Sequence, residues 1–312
     1  MIINAIVMMF NEASIAPYFL SHYQDIDEVI VLLETDSTDN TLEICRQYPN
    51  VTVKLIHVTD GIDDDQKVQI INDEIKNQVG KADWVYVLDP DELIVPYRLE
   101  NPYDFLDRQW ECDAVVACMY QVYRHVTDKD LDPAQPALPQ RLHGDLDLTC
   151  DKVTKYQDSN IHYCKPIVVR PEKAFMEVGN HRIIKDAVYS KEFFIGSHWQ
   201  HADPTLAVTR RLRNRSRLSR NNLNRGYGFQ NWEIMEEDIL AICESHMKTM
   251  KLDKETLFYG YFPPYDKYLY RLLRGNAGDW KSVEKEYDEE IPMDELQDRV
   301  ISPMREYLNN VE

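Results

Sequence analysis

Two aspartates separated by a proline, Asp89-Pro90-Asp91, and followed at once by Glu92, end an apolar run of Trp84-Val85-Tyr86-Val87-Leu88. Carboxylates this close repel one another unless a cation lies between them, and hard divalent cations prefer oxygen ligands. The group therefore has the chemistry of a metal site serving a phosphorylated substrate. A plain strand-to-loop junction would share the composition, because Asp and Pro are also turn formers. Residues 84–88 carry no charge and read as a strand buried on both faces. Pro90 cannot continue a central strand, so the carboxylates fall at its carboxyl end, where open α/β sheets bind ligands.

Other groups could join this chemistry. Asn11-Glu12 follows the first apolar run, and Glu34-Thr35-Asp36-Ser37-Thr38-Asp39-Asn40-Thr41 follows the second. The second group would also serve as a turn and helix cap. Asp65-Gln66-Lys67 precedes a helical stretch and could bring Lys67 to a phosphate, although an exposed lysine is the commoner use of such a position. Gly179-Asn180-His181-Arg182 and Gly196-Ser197-His198-Trp199 supply imidazoles, with His201 a rival to His198. The arginines between 210 and 220 spread around most of a helix, which suits a helix tied to acidic neighbours. One or two of them, Arg210 or Arg213, are placed to meet a diphosphate or anionic acceptor. The aromatic residues of 258–265 suit packing against the body or stacking on a sugar ring.

Strand and helix signals alternate through the first hundred residues. Strands are expected at 2–9, 29–33, 51–57 and 84–88, with helices at 15–22, 41–48 and 66–79 and Ser14 as a cap for the first helix. Such alternation predicts a mostly parallel, doubly wound sheet. Further strands are expected at 115–123, 167–169 and 193–195, and the proline-rich 131–139 must be loop. Helical patterns follow at 205–223 and 232–250, with a charged, helix-prone tail from 281. The boundary falls near His201, dividing an α/β body, 1–201, from a helical C-terminal region, 202–312.

The bulk numbers set limits. The chain has 312 residues, of which 44% are hydrophobic, enough for a real core. A formal charge of −19 argues against general nucleic-acid binding, which needs excess Lys and Arg. Six scattered cysteines form no Cys-x-x-Cys pair, so neither a zinc framework nor a disulfide scaffold is indicated, and a reduced cytoplasmic setting is the default. Residues 1–10 read as a first strand rather than a signal peptide, and no apolar stretch reaches membrane-spanning length.

In this order the four groups resemble the GT-A fold glycosyltransferases, close to family 2 and its metal-dependent relatives. In that family the first strand ends near an Asn-Glu pair, a Ser-x-Asp-x-Thr turn follows the second strand, and Asp-x-Asp-Glu follows a Trp-led apolar strand. A Gly-x-His and a later His-aromatic pair follow. The resemblance covers about the first two-thirds of the chain. It implies a Rossmann-like nucleotide-binding core with a mixed sheet, and a sugar moved from a nucleotide-sugar donor, expected to be a UDP-sugar, to a saccharide-type hydroxyl with inversion. It also implies Mn²⁺ or Mg²⁺ acting as a Lewis acid on the leaving diphosphate, held by Asp91, Asp89 and His198. Donor contacts would come from Asn11, Glu12, Glu34, Asp39, Lys67, Asp89 and Arg210. Glu34 and Thr35 stand where the family commonly has Asp and Asn. An inverting transfer needs a base, and Glu177 and Asp203 are the candidates, while His181 could instead position the acceptor or diphosphate.

Two rivals remain open. A metal-dependent nucleotidyltransferase would want a Gly-rich, basic loop after the first strand, and Met9-Phe10-Asn11-Glu12-Ala13 lacks one. A scaffold or nucleotide-sugar-binding protein on the same fold would tolerate loss of the acidic ligands, yet Asp89, Asp91 and Glu92 are present. Polysaccharide or glycoconjugate synthesis is the expected setting, by an enzyme that is cytoplasmic or peripheral to a membrane. The acceptor, oligomeric state and pathway are not encoded in any motif.

Overall fold

The computed structural model describes residues 1–145, 164–180, 183, 187–190, 192–228 and 231–247. His181, the aromatic residues of 258–265 and the charged tail lie outside the described residues. The described chain is α/β, with β1 (Ile3–Met9), α1 (Ala16–His22), β2 (Glu28–Glu34), α2 (Thr41–Cys45), β3 (Val51–Ile56), α3 (Asp64–Asn77) and β4 (Trp84–Leu88) alternating in order. After these come β5 (Glu92–Pro96), α4 (Pro102–Asp107), β6 (Ala114–Tyr123), β7 (Gly144–Asp145), β8 (Cys164–Val169) and β9 (Phe194–His201). Helices α5 (Pro204–Ser216), α6 (Arg220–Arg225) and α7 (Glu236–His246) complete the described elements.

One mixed sheet carries the strands in the order β3-β2-β1-β4-β8-β6-β9-β5, with β7 pairing on β6. β3, β2, β1 and β4 run parallel, as their alternation with helices requires. Beyond β4 the sheet changes character: β8 is antiparallel to β4 and to β6, and β5 is antiparallel to β9. The chain winds outward from β1 to β3 and then returns to β4 on β1's other side. The carboxyl ends of β1 and β4 therefore open a crevice between diverging connections, the usual ligand position in such sheets. Every residue of β4 is buried, and Tyr86 and Trp84 lie among the largest fully buried side chains.

Three departures from the sequence expectations bear on the site. Ser14 does not cap α1, whose N-cap is Ile15 without a side-chain bond. Instead the carbonyl of Glu12 accepts from the amides of Ile15 and Ala16 at 3.0 and 2.8 Å, so the helix start itself fixes Glu12. The expected helix over 205–223 is two helices, because Ser219 accepts from the amide of Asn222 and starts α6. The sheet also holds an unexpected strand, β5. Its partner β9 comes close enough only because residue 196 is glycine: a Cβ there would lie 2.7 Å from both Ile94 Cγ2 and the Leu93 carbonyl oxygen. Tyr23 anchors the same strand, donating to the Glu92 carbonyl and accepting from the Ile94 amide, both at 2.9 Å. Among the described residues no helix is long and apolar enough to cross a membrane.

Candidate functional site

At the carboxyl ends of β1, β2 and β4 lies a cavity of about 800 Å³, within the size range of small-molecule sites. It is bordered by Met8–Phe10, Asp89–Asp91, residues 62–65 and Lys67 at the start of α3, and by α5 and the residues after it. The α5 wall owes its character to helical spacing. Arg210 and Arg213 are three residues apart on one face of the helix, and Arg217, its C-cap residue, follows four further on. All three border the cavity.

Each arginine meets a carboxylate at a strand end. Arg210 donates Nη1–H to Asp91 Oδ2 at 2.6 Å and Nε–H to Glu12 Oε2 at 2.9 Å. Arg213 reaches Glu12 Oε1 at 2.6 Å and also donates to the Asn11 carbonyl. Arg217 pairs with Glu34 and lies over the Phe10 ring, 3.4 Å from its centroid. Glu12, Asp91 and Arg210 are all buried. Burial alone would raise the Asp91 carboxyl, but the Arg210 charge, with His198 behind it, outweighs burial and holds it well below the ordinary carboxylate value. Burial would likewise lower Arg210, and Asp91 and Glu12 reverse that and raise it.

The Asp89 side is built with lysines. Lys67 Nζ donates to Asp89 Oδ1 at 2.6 Å, and Lys165 Nζ lies 3.3 Å from Oδ2 and 2.7 Å from Glu92 Oε1. Against the opposing pull of burial, Lys67 and Lys165 hold Asp89 below its ordinary value. Glu92 behaves differently: burial raises its carboxyl, Lys165 only partly offsets this, and the Asp89 charge adds to it. Glu92 Oε2 still accepts from the Asp89 amide at 2.8 Å, so it fixes the turn that presents Asp89.

Of the residues expected from the sequence, Glu12, Glu34, Lys67, Asp89, Asp91, Glu177, His198 and Arg210 all border this cavity. Three others hold loops and helix ends in place. Asn11, with φ of 50°, accepts from the amides of Thr38 and Asp39 at 2.7 and 3.1 Å and so ties the two loops together. Asp39 accepts from the hydroxyl and amide of Thr41 at 2.5 and 3.0 Å, and Thr41 in turn accepts from the Glu12 amide at 2.8 Å. Asp39 therefore reaches the site only by positioning Glu12. Asp203, offered as a base, is the N-cap of α5, accepting from the amides of Thr205 and Leu206, and is not a cavity residue.

Lys165 was not anticipated. Its signal is a lone charge opening the apolar strand Cys164–Val169. Arg217 was one of several arginines in its run. Only the fold distinguishes it, by docking its carbonyl on the loop before α3. There the Ile62 amide donates to the Arg217 carbonyl at 2.6 Å, and a Cβ on Gly61 (φ +79°) would lie 2.1 Å from the same oxygen.

His198 Nε2 and Asp91 Oδ2 are 3.4 Å apart, close enough for two ligands of one ion. Asp91 and Asp89 are, however, already engaged by Arg210, Lys67 and Lys165. Among the described residues no group of three or more His, Cys, Asp and Glu is arranged to hold a metal. As it stands the site balances its carboxylates with the chain's own cations.

No family model and no curated protein matches the chain. Among the solved structures that match is one titled "Crystal Structure of a Mycobacterial Protein", 17% identical, with a TM-score of 0.26. That match spans 40% of this chain and 41% of the other, and a likeness this slight carries no argument.

Proposed function

We propose that this cleft binds a nucleotide-sugar and transfers its glycosyl group to a hydroxyl of a saccharide-type acceptor, on a GT-A type fold. The observation that carries the reading is the set of arginines on α5 and at its C-cap, Arg210, Arg213 and Arg217, which borders with Lys67 the crevice at the ends of β1 and β4. A leaving diphosphate gains negative charge as the glycosidic bond breaks. Guanidinium and ammonium groups already fixed around that position stabilise the charge without reorganising. The ordered motifs at the strand ends support the same reading by their resemblance to GT-A enzymes. Glu34, held by Arg217, would face the nucleoside end. Glu177 borders the cavity and is the candidate to take the acceptor proton.

A second reading keeps a Mn²⁺ or Mg²⁺ ion at Asp91, and the 3.4 Å separation of Asp91 and His198 favours it. Such an ion would supply Lewis-acid stabilisation of the diphosphate. The full chain should release nucleoside diphosphate from one member of a nucleotide-sugar panel when given saccharide acceptors. Glu177→Gln should abolish transfer while leaving donor binding intact. Activity that persists in EDTA supports the cation-lined reading; activity restored only by Mn²⁺ or Mg²⁺ supports the metal reading. No turnover of any nucleotide-sugar, with no binding of the corresponding diphosphates, would sink both.

A further inference from the structure

We propose that Arg211, His201 and Gln121 form a hydrogen-bond relay that fixes His198, in the unliganded site, as the tautomer protonated on Nε2, so that His198 presents a hydrogen-bond donor to the cleft. This does not depend on the identity of the ligand.

The relay starts from a group whose protons are certain. Arg211 is buried, and a guanidinium can only donate. Its Nη1 lies 3.1 Å from His201 Nε2, so that nitrogen must accept. His201 is itself buried and neutral, since burial and the adjacent Arg211 charge hold its imidazole well below the ordinary value. A neutral imidazole that accepts at one nitrogen carries its proton on the other, so His201 Nδ1–H is a donor. The amide of Gln121 lies 2.8 Å from His201 Nδ1 and 2.6 Å from His198 Nδ1, linking the two rings.

An amide's oxygen and nitrogen ends are exchanged by a half-turn of the last side-chain torsion, and the surrounding donors decide which way it faces. In the structure Oε1 faces His198 and Nε2 faces His201. That orientation would leave His201 accepting at both nitrogens, which a neutral imidazole cannot do. The proton count requires the reverse: Gln121 Oε1 accepts from His201 Nδ1–H, and Gln121 Nε2–H donates to His198 Nδ1. His198 then carries its proton on Nε2, the nitrogen 3.4 Å from Asp91 Oδ2. At that distance the bond to Asp91 is weak, and the N–H can serve an anionic oxygen entering the cavity that His198 borders.

The backbone is built to allow this. His198 and His201 are three residues apart on β9, and strict alternation would send them to opposite faces. The register between β6 and β9 shifts between Gln121 and Tyr123, and such an irregularity re-aims a side chain. The Tyr123 ring stacks on His201 with an interplanar angle of 10°, which holds the imidazole plane.

The test is histidine-selective ¹⁵N NMR on the full chain at pH 8, with His198 assigned by its loss in His198→Ala. Wild type should show His198 Nδ1 unprotonated and Nε2 protonated. Gln121→Glu replaces the amide by a group that only accepts, so His198 Nδ1 should become protonated and its resonance should move to the protonated range. Protonated Nδ1 with bare Nε2 in the wild type would overturn the proposal. So would a wild-type pattern that Gln121→Glu leaves unchanged.

Discussion

The two flanks of the cleft solve the same problem with different cations. On the Asp91 flank the guanidiniums of Arg210 and Arg213 come from α5, a helix that follows the last strand of the sheet. On the Asp89 flank the ammonium groups of Lys67 and Lys165 come from α3 and β8. A guanidinium can bridge two carboxylates through separate N–H groups, as Arg210 bridges Asp91 and Glu12. An ammonium is a point charge, and Lys165 divides its attention between Asp89 and Glu92. The arginine flank therefore locks α5 to the sheet, while the lysine flank leaves one carboxylate, Glu92, displaced towards its neutral form.

Removing Arg210 breaks this contrast most severely. Arg210→Leu leaves Asp91 and Glu12 buried without their shared cation, and it should destabilise the fold by about 3–5 kcal/mol in urea titrations. A loss under about 1 kcal/mol would show that α5 is held by packing alone. Lys165→Met should cost less, about 1–3 kcal/mol at pH 8, because Glu92 can respond by taking up a proton. Its deficit should shrink at pH 5, where that proton is readily available. An equal deficit at both pH values would contradict the upward displacement of Glu92.

Acid should reach the histidines before the carboxylates. Burial lowers His22 from 6.5 to about 4, with the Ile94 carbonyl opposing, so the unfolded chain binds more protons than the folded one in that interval. The histidine contribution should therefore be full above pH 6.5 and be lost towards pH 4, with His201 adding to the slope. The depressed carboxyls of Asp89 and Asp91 contribute above the ordinary value of 3.8, and their contribution disappears below it. His22→Phe should flatten the upper part of the limb in a series of thermal melts. At the small end, Arg225 and Asp65 form an exposed pair at 3.1 Å, and Arg225→Ala should leave the melting temperature unchanged.

Much of the site was legible because charge interrupts pattern at particular places. The uncharged 84–88 run ending in Asp89 and Asp91 marked the crevice, and Lys67, Glu12 and Glu34 followed from strand and helix ends. The rest depended on tertiary pairing. Glu92 reads as part of an acidic loop, yet it opens β5 and is fully buried, because Gly196 and Tyr23 bring β9 and α1 against that segment. Gln121 is one polar residue in a ten-residue strand, and nothing local distinguishes it until β9 places two imidazoles beside its amide. Asp39 lies in a segment whose turn and cap chemistry was visible in the sequence, whereas the capping of α5 by Asp203 emerges only from the fold.

The central claim is that the arginine face of α5 receives a diphosphate. The most direct measurement is a thermal shift of the full chain with UDP, GDP, CDP and dTDP, each with and without Mn²⁺, repeated with uridine and on Arg213→Gln. The account predicts that one nucleoside diphosphate raises the melting temperature, that uridine does not, and that Arg213→Gln loses the effect while keeping its fold. If no diphosphate shifts the wild-type protein under either condition, the cations of this cleft serve only to balance their own carboxylates.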